Sequence, residues 1–534
     1  MGDRSHEATD LIVQDQSEAI AFLATPATYG AGIQAVERID THGAVVFLAG
    51  ERAYKLKRAV RFPYMDFSTI ERRRTACEAE IVLNRRTAPT LYLGTMAITR
   101  APDGRLTLGG EGQPIDWVVA MARFDQDALF DKRAGRGQLD RAAMEHLAEA
   151  VAKLHADAER RFDFGGAAGM AAVIQGIGAG LLGAGPNFDP RRVAELDLRL
   201  RGALDSVGVL LDRRRDDGFV RRCHGDLHLR NICLLENRPV LFDAIEFNDS
   251  IACIDVFYDL AFLLMDLERR GLRRLANTAF NTYLDLTNDH RSLPALPLFL
   301  SCRASIRAHT TAAAAATQPS PAEAERMLAD AKAAFDLAFD FLSPPKPRLL
   351  AVGGLSGTGK STLAVGLAPD IGPAPGAVVL RTDVLRKRLA GVDPTTRLPS
   401  SAYADERTGA VYRRLAENAA AVLASGHAAI ADGVFARPDE RATIAAVAHA
   451  AKVPFVGLWL EAADAVMEAR IAARTNDASD ATVAVLRRQR TYDVGRLDWH
   501  HIDATGDAAS TLAASLALAT APDPGPLPRP GDRG

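Results

Sequence analysis

The pattern of apolar and polar positions changes character after residue 347. Beyond that point, short apolar runs of the strand type alternate with stretches in which apolar residues recur every three or four positions. These patterns predict strands at 348–353, 377–381, 428–432, 453–460 and 499–503, and helices at 360–368, 403–425, 437–450, 464–474 and 482–495. Since strands that alternate with helices indicate βαβ units, we predict a C-terminal α/β fold with a parallel sheet of about five strands.

The first part of the chain has its strands before its helices. Two apolar runs, 44–48 and 53–57, flank a short turn and predict a β-hairpin. A helix near 68–86 and a further strand near 117–121 follow, and helical patterns dominate from about residue 139, apart from short runs around 221–245. This order predicts an N-terminal α+β fold with two lobes, a small sheet lobe and a larger helical lobe.

A proline cluster, Ser343-Pro-Pro-Lys-Pro347, separates the two patterns. Proline cannot continue a helix and favours extended backbone before it, so the cluster is typical of a linker. We therefore predict a first domain at 1–342, a linker at 343–347, a second domain at 348–520 and a disordered Pro/Gly-rich tail at 521–534.

Composition narrows the classes of protein to consider. The chain of 534 residues is 48% hydrophobic and 25% charged, which is ordinary for globular domains, and its net charge of -3 disfavours a nucleic-acid partner or a membrane surface. Its five cysteines lack the paired short spacings of a disulfide framework or zinc site. The N-terminus lacks a signal-peptide pattern, and Asp255 and Asp259 interrupt the most apolar stretch, 251–265. We expect a cytoplasmic protein.

One motif with known chemistry opens the second domain. Residues 354–361 read Gly-Leu-Ser-Gly-Thr-Gly-Lys-Ser, which matches G-x-x-x-x-G-K-[ST] between a predicted strand and a predicted helix. Backbone N–H groups of such a loop wrap phosphates, the lysine reaches the outer phosphates, and the hydroxyl after it binds Mg²⁺. The predicted ligands of ATP and Mg²⁺ are Gly354, Ser356, Gly357, Thr358, Gly359, Lys360, Ser361 and Thr362.

Charged residues follow the next strands at positions that suit phosphoryl transfer. Asp383, with Arg386 beside it, follows the second strand and is a candidate to take the proton of an acceptor hydroxyl. Asp432 ends the third strand and is a candidate Mg²⁺ ligand. For each aspartate the alternative is a helix cap. Arg470 and Arg474, four residues apart, are candidates for a lid over the phosphates, with a solvated basic face as the alternative.

A loop after the last predicted strand is a candidate adenine contact. It comprises residues 501–506, which read His-Ile-Asp-Ala-Thr-Gly. A loop at that point of such a sheet lies over the nucleotide.

Residues 348–520 resemble the P-loop kinases that include zeta toxins, polynucleotide 5′-kinases and gluconate-type small-molecule kinases. The resemblance rests on the P-loop and on the Asp383/Arg386 pair, which is similar to the acceptor-side pair of such kinases. It implies phosphoryl transfer from ATP. It does not fix the acceptor, because members of this group act on very different compounds.

A second kinase-like motif lies in the first domain. Residues 224–231 have the H-x-D-x-x-x-x-N spacing of a kinase catalytic loop, in which Asp226 would orient the acceptor hydroxyl and Asn231 would bind a metal. Asp243 follows a short apolar run and is a further candidate Mg²⁺ ligand, with Glu246 as its support.

The predicted hairpin supplies a candidate phosphate-binding lysine. Lys55 stands in the A-x-K pattern of the kinase lysine strand, and Lys57, on the same face of the strand, is the alternative. The predicted partner is Glu80, or else Glu78, on the 68–86 helix. The end of the next strand, 121–123, is where a hinge would contact adenine.

These residues resemble the aminoglycoside phosphotransferase family over roughly 30–340, and the whole chain resembles bacterial fusions of such a domain with a P-loop ATPase. The resemblance rests on the local sequences around Asp226 and Asp243 and on the 255–259 segment. One departure is the turn at 40–43, Asp-Thr-His-Gly, which has a single glycine where a glycine-rich loop would cover the phosphates. Asp266 and Glu268 are candidates for an acidic acceptor pocket, and Asp255 and Asp259 for supports of the catalytic loop.

Together these patterns favour an ATP- and Mg²⁺-dependent phosphotransferase with two nucleotide sites and a small-molecule hydroxyl acceptor. The alternative is an ATPase switch in the P-loop domain, regulated by a kinase-like lobe that binds a ligand or a partner without catalysis. A toxin-like kinase of nucleotide sugars is a third hypothesis for the P-loop domain.

Overall fold

The computed structural model describes residues 13–62, 64–393, 396–473 and 478–521. The predicted disordered tail therefore lies, apart from residue 521, outside the described residues. The helices are α1 Ser17–Ala24, α2 Ile70–Asn84, α3 Phe130–Gly135, α4 Arg141–Asp157, α5 Gly166–Gly183, α6 Pro190–Asp216, α7 Asp249–Ala252, α8 Val256–Arg269, α9 Arg273–Thr287, α10 Leu296–Ala316, α11 Pro321–Phe341, α12 Lys360–Leu367, α13 Thr382–Leu389, α14 Asp405–Ala424, α15 Pro438–Ala451, α16 Asp464–Ala472, α17 Val483–Gln489 and α18 Ala508–Thr520.

The strands comprise an N-terminal set and a C-terminal set. They are β1 Val36–Asp40, β2 Ala44–Ala49, β3 Arg52–Lys57, β4 Arg61–Phe62, β5 Met65–Asp66, β6 Tyr92–Arg100, β7 Leu106–Leu108, β8 Gln113–Ala122, β9 Val220–Arg222, β10 Ile232–Leu235, β11 Arg238–Leu241, β12 Cys253–Asp255, β13 Leu349–Gly354, β14 Val378–Arg381, β15 Ala429–Asp432, β16 Phe455–Glu461 and β17 His500–Asp503.

The chain divides into two compact units that do not follow the proline cluster. One unit contains Met1–Gly176 and Leu204–Asp266, and the other contains Ile177–Ala203 and Leu267–Gly534. Helices α9 to α11 therefore belong to the same compact unit as the P-loop sheet. The domain limits predicted from the sequence remain a prediction about sequence modules. The boundaries of the two compact units lie at other residues.

The first unit is built around a six-stranded antiparallel sheet in the order β1-β2-β3-β8-β6-β7. The predicted hairpin is confirmed as β2 and β3, with Val46 opposite Lys55. Alternate residues of these strands, among them Phe47 and Leu56, are fully buried on one face. Helix α2 covers the other face and begins at Thr69, whose hydroxyl accepts the Arg72 N–H at 3.3 Å.

The second unit contains the predicted parallel sheet. Its five strands run in the order β14-β15-β13-β16-β17, all parallel, which confirms the α/β prediction. Leu350, Ile430 and Leu458, from three adjacent strands, are fully buried in its core. Because such central strands are buried on both faces, they appear in the sequence as continuous apolar runs.

Helix α9 covers the outer edge of this sheet. The Asn281 side chain accepts the Val379 N–H at 2.8 Å and donates to the Ala377 carbonyl at 3.1 Å, and Asn277 donates to the same carbonyl at 3.2 Å. At the start of the helix, Arg273 donates to the Pro369 carbonyl at 2.6 Å. Side-chain amides thus satisfy backbone groups that an edge strand otherwise leaves unpaired.

Among the described residues, α5 is the one helix whose length and apolar composition would suit a membrane span. A single helix of this kind is weak evidence, and the expectation of a cytoplasmic protein stays a prediction. The apolar stretch 251–265, which Asp255 and Asp259 interrupt, is instead a buried part of the first unit. This stretch includes most of α8.

Candidate active sites

The P-loop joins β13 to α12, and its glycines take backbone conformations that other residues rarely adopt. The φ angles of Gly354, Gly357 and Gly359 are +136°, +87° and +97°. A Cβ atom at Gly357 would lie 2.6 Å from the Met467 carbonyl oxygen. The loop therefore needs glycine both for its backbone conformation and for its close approach to a neighbouring helix.

The hydroxyl that ends the P-loop motif meets a carboxylate from the neighbouring strand. Ser361 Oγ donates to Asp432 Oδ2 at 2.6 Å, and Asp432 is buried at the end of β15. Lys360 Nζ lies back over the loop and donates to the Leu355 carbonyl at 2.9 Å. A hydroxyl and a carboxylate side by side are the hard oxygen ligands that Mg²⁺ prefers, so these residues fit that ion.

The second candidate carboxylate begins α13. Asp383 lies two residues beyond the end of β14, is partly buried, and accepts a hydrogen bond from Ser479. Burial raises its pKa above the ordinary value, and the nearby charge of Asp432 raises it further. A carboxyl with a raised pKa next to a phosphate-binding loop is suited to proton transfer.

Arg386, one turn further along α13, supports a neighbouring loop. It is buried and donates to the Ala402 carbonyl at 2.8 Å and to Thr408 Oγ1 at 3.2 Å. Its guanidinium lies 4.6 Å from the centre of the Tyr403 ring. The predicted Asp383/Arg386 pair thus lines one cavity, in which the arginine holds part of the wall.

Arg470 lies beside the P-loop and lines the cavity. It donates to the Ala504 carbonyl at 2.9 Å and to the Gly506 carbonyl at 3.0 Å, and it approaches the Thr358 carbonyl at 3.4 Å. Arg474, predicted beside it, lies outside the described residues. The loop after β17 is therefore fixed to the P-loop by Arg470.

His501, the first residue of the loop predicted to contact adenine, has a different neighbour. Its ring is exposed and lies 3.1 Å from Glu461. The part of that loop that reaches the cavity begins at Ala504.

A cavity of about 1100 Å³ brings these residues together. The predicted residues that line it are Ser356, Gly357, Thr358, Gly359, Lys360, Ser361, Thr362, Asp383, Arg386, Asp432 and Arg470. Gly354 does not line the cavity. Its positive φ angle and its close approach to Leu460 belong to the turn beneath the cavity. The cavity is also lined by four residues that the sequence motifs do not predict, Arg397, Asp480, Arg488 and Gln489. Arg488 and Gln489 lie within the predicted 482–495 helix, but no motif marks them.

The kinase-like lobe has a separate charged cluster. Lys55 Nζ donates to Glu80 Oε1 at 2.9 Å and also contacts Asp243. Lys57 Nζ donates to Glu80 Oε2 at 2.6 Å and also contacts Glu246. Both candidate lysines therefore bind Glu80. Glu246, which was predicted to support Asp243, pairs with Lys57 instead.

The electrostatics of this cluster select Glu80 over its alternative. Glu80 is fully buried, and although burial alone would raise its pKa, the two ammonium groups lower it to about 2. Glu78 lies on the exposed side of α2, where it pairs with Arg74 at 2.9 Å. The structure thus places Glu80, and not Glu78, beside the candidate phosphate-binding lysine.

The catalytic-loop motif brings its aspartate and its asparagine into contact. Asn231 Nδ2 donates to Asp226 Oδ2 at 2.9 Å and to the Asp226 carbonyl at 3.0 Å. His228 Nε2 lies 3.2 Å from the same carboxylate. The Asp226 side chain stays partly exposed, at 37%, so an acceptor can reach it.

Two buried aspartates of α8 hold this loop from beneath. Asp259 accepts the N–H groups of His224 at 3.1 Å and of Gly225 at 2.9 Å, and Asp266 accepts that of Leu229 at 3.2 Å. Asp266 therefore supports the loop, contrary to its suggested place in an acidic acceptor pocket. The suggested support role of Asp259 agrees with these contacts.

Asp255 supports a different element. It forms a two-pronged ion pair with Arg214, at 2.7 and 2.8 Å. It also accepts the Phe257 N–H at 2.8 Å near the start of α8. Asp255 thus anchors the helix on which Asp259 and Asp266 lie.

The turn that has only one glycine is covered by aromatic side chains. His42, in the β1–β2 turn, stacks on Phe62 with 4.3 Å between ring centres, and its Nε2 lies 2.5 Å from Tyr64 Oη. A Cβ atom at Gly43 would lie 3.1 Å from the Met65 side chain. The β4–β5 hairpin thus packs against the turn that in many kinases covers the phosphates.

The predicted hinge at 121–123 has little free backbone. The Ala122 N–H donates to the Leu91 carbonyl and the Arg123 N–H donates to the Glu51 carbonyl, each at 2.8 Å. Adenine contacts from these two amides are therefore excluded in this conformation.

Comparisons with known proteins agree with the two sites. Residues 105–296 match the family described as phosphotransferase enzyme family, and residues 349–492 match the family described as AAA domain. The uncharacterized protein Rv2004c of Mycobacterium tuberculosis is 32% identical over 482 residues, which cover 88% of this chain and 92% of the relative. The uncharacterized protein Mb2027c of Mycobacterium bovis matches to the same extent.

Solved structures of two kinases align with parts of this chain at low sequence identity. An ethanolamine kinase of Plasmodium vivax is 11% identical and covers 63% of this chain and 94% of its own, with a TM-score of 0.39. A gluconokinase from Sinorhizobium meliloti is 20% identical and covers 32% of this chain and 91% of its own, with a TM-score of 0.24.

The family matches fall on the two regions that carry the two sites. The match to the mycobacterial proteins extends across both regions. The chain therefore belongs to the family of these mycobacterial proteins and is an ATP-dependent phosphotransferase that joins an aminoglycoside phosphotransferase-like domain to a P-loop kinase domain.

Proposed function

We propose that the P-loop site transfers the γ-phosphoryl group of ATP to a hydroxyl of a small molecule. The observation that carries the proposal is the hydrogen bond between Ser361 and Asp432 in the same cavity as the partly buried Asp383. The first two residues fit a phosphate-bound Mg²⁺, and the third fits an acceptor hydroxyl.

Each group has a defined task in this reaction. The P-loop amides and Lys360 bind the phosphates, which neutralises their charge and fixes their direction. Asp383 accepts the proton of the acceptor hydroxyl while the new bond between that oxygen and the γ-phosphorus forms. The bond between the γ-phosphorus and the bridging oxygen breaks, and ADP leaves with the electron pair.

Ser361 and Asp432 are the residues that would hold Mg²⁺. When bound, the ion neutralises charge on the phosphate oxygens. Arg381 lies beside this site, with its Nε 3.6 Å from Asp432 Oδ2. This distance is typical of an ion pair, and it leaves the carboxylate oxygens of Asp432 available to other ligands.

We propose a second nucleotide site in the kinase-like lobe. Its support is the Lys55–Glu80 pair together with Asp226, Asn231 and Asp243. Lys55 would bind phosphate, and Asn231 and Asp243 would hold a second Mg²⁺. Asp226 would take the proton of that lobe's own acceptor.

The test is Mg²⁺-dependent ATP turnover by the whole chain, with and without a panel of sugars, polyols, amino alcohols and aminoglycosides. We expect one or more acceptors to stimulate turnover, and Lys360→Ala to abolish the part that belongs to the P-loop site. Asp226→Asn should abolish only the part that belongs to the kinase-like lobe. Lys332→Ala and Asp157→Asn, which change exposed side chains, are the controls.

The outcomes separate the hypotheses. Transfer of phosphate to an acceptor, lost in Lys360→Ala, supports the proposal. Acceptor-independent hydrolysis that only Lys360→Ala removes would contradict it and favour an ATPase switch beside a binding lobe. No turnover and no nucleotide binding would contradict the proposal for both sites.

A further inference from the structure

One short stretch of the second unit contacts both the P-loop and the wall of the cavity beside Asp383. We call residues 478–489 the bridge segment, which ends with α17, and residues 396–404 the acceptor loop, which forms the wall beside Asp383. Both line the cavity. Neither is marked by a motif in the sequence.

A single carboxylate of the bridge segment holds the acceptor loop at two points. Asp480 accepts the Tyr403 hydroxyl at 2.6 Å and the Leu398 N–H at 2.9 Å. It also accepts the Lys387 ammonium from α13 at 2.7 Å. Burial alone would raise the pKa of Asp480, but these three donors outweigh it and lower the pKa, so the carboxylate stays ionised.

The cation in this network has no exposed surface. Lys387 is fully buried, and its ammonium also contacts the Thr396 carbonyl, the first residue of the acceptor loop. A buried ammonium requires a counter-charge, which Asp480 supplies. The acceptor loop is therefore bound by a buried ion pair at its start and by a tyrosine hydroxyl at its end.

The bridge segment also reaches the reacting groups. Ser479, next to Asp480, donates a hydrogen bond to Asp383. At the other end, the Gln489 side chain accepts the Ser356 N–H of the P-loop at 2.8 Å. Between these contacts, Thr482 caps α17 by accepting the Val485 N–H at 3.4 Å.

We propose that Asp480 is a positioning residue that couples the acceptor loop to the nucleotide. A nucleotide that orders the P-loop also orders the bridge segment through Gln489. Asp480 then orders the acceptor loop through its hydrogen bonds to that loop. Binding of the phosphates then stabilises the contacts of Asp480 that form the acceptor wall. This inference rests on the proposed phosphotransferase function of the same cavity.

The coupling has a direct reporter, because the Leu398 amide itself donates to Asp480. The experiment is hydrogen exchange of the whole chain, with and without Mg²⁺ and a non-hydrolysable ATP analogue. In the wild type we expect the nucleotide to slow exchange both in the P-loop and, by about fivefold, in the acceptor loop. In Asp480→Asn, protection of the P-loop should remain and protection of the acceptor loop should be lost.

A second variant tests the contact with less effect on folding. Tyr403→Phe keeps the ring beneath Arg386 and removes only the hydroxyl that Asp480 accepts. It should weaken the protection of the acceptor loop in the same direction. Asp498→Asn, an exposed change on the same domain, is the control and should behave as the wild type.

Each outcome decides the point. Acceptor-loop protection that both variants retain would overturn the positioning role and leave the phosphotransferase proposal standing. Protection lost in both variants supports the role, even if no compound in the acceptor panel is phosphorylated. An acceptor loop that the nucleotide does not protect in the wild type would also overturn it.

Discussion

The buried Lys57 and the partly buried Lys55 share one glutamate in the kinase-like lobe. Lys55 and Lys57 bind different oxygens of Glu80, and Asp243 and Glu246 balance the remaining charge. Since each side chain of this cluster has its counter-charge, removal of one member leaves another charge buried without compensation. The cluster therefore fixes the position of Lys55 before any nucleotide binds.

Glu80→Gln should destabilise the protein at neutral pH by about 3–5 kcal/mol, because it breaks a buried ion pair. The pKa of Glu80 is lowered to about 2 in the folded protein from an ordinary 4.5. Its contribution is therefore complete above pH 4.5 and is lost as the pH falls from there towards 2. Denaturant unfolding of the two proteins at pH 7, 5 and 3 should show a difference that shrinks with acidity.

The chain offers a matched control for this experiment. Glu78 lies on the same helix with an exposed Arg74 partner, so Glu78→Gln should change the free energy of unfolding by less than about 1 kcal/mol. Equal effects of the two substitutions would contradict the role assigned to Glu80.

Asp383→Asn should lower acceptor phosphorylation by about 10²–10⁴-fold, because it removes the proton acceptor. Burial and the charge of Asp432 raise the pKa of Asp383, and the carboxylate must be ionised to act. Activity of the wild type should therefore fall, as the pH is lowered, at a value above that of an ordinary aspartate. The measurement is the pH profile of phosphate transfer, and a profile unchanged in the variant would refute the assignment.

At the scale of elements, the edge of the P-loop sheet is closed by a helix rather than by another strand. Helix α9 directs Asn277 and Asn281 at β14, whose last residue precedes α13 and Asp383. The backbone groups of the edge strand are thus paired without a sixth strand. The position of the candidate base depends on this contact, because α13 begins directly where β14 ends.

Asn281→Ala should lower the free energy of unfolding of the second unit by about 1–3 kcal/mol, because the Val379 N–H and one bond to Ala377 lose their partners. Thr278→Ala, an exposed change one turn away on the same helix, should stay within about 0.5 kcal/mol. Thermal unfolding followed by circular dichroism measures both. If the two variants unfold alike, α9 does not stabilise this edge.

The parallel sheet could be predicted almost to the residue. Its five strands lie within two residues of the predicted ranges, because strands buried on both faces form continuous apolar runs. The sequence pattern does not delimit helix α13, since half of its residues are charged and its burial comes from tertiary contacts such as that of Lys387. Strands β1, β6 and β7 were missed, because their sequences lack a long apolar run.

The motifs likewise predicted some of the site residues and not others. Ser361 and Asn231 follow from the spacing of their motifs, and Asp432 follows from its place at the end of a predicted strand. Gln489 and Asp480 could not be found in this way. They reach the cavity from a segment more than 100 residues after the P-loop, and only the fold brings them there.

At the scale of the whole molecule, the proline cluster does not mark a spatial boundary. The segment from Leu267 onward, upstream of the cluster, belongs to the compact unit of the P-loop sheet. Part of the phosphotransferase-family match, which ends at residue 296, therefore folds in that unit. Sequence modules and compact units are different divisions of this chain.

A fragment that begins at residue 348 should accordingly be less stable than one that begins at residue 267. The shorter fragment lacks α9 and loses the contacts of Arg273 and Asn281 with the P-loop sheet. We expect a lower midpoint of thermal unfolding and weaker binding of Mg²⁺-ATP, measured by calorimetry on both fragments. Equal midpoints would show that the P-loop domain is independent of α9.

The cover of β14 by α9 also bears on how the chain is made. Synthesis proceeds from the N-terminus, so α9 leaves the ribosome long before the edge strand that it will protect. The helix is therefore ready when β14 emerges, and the open edge has little time to pair with a strand of another nascent chain. A circular permutant that placed the P-loop domain first would reverse that order and expose the edge during translation.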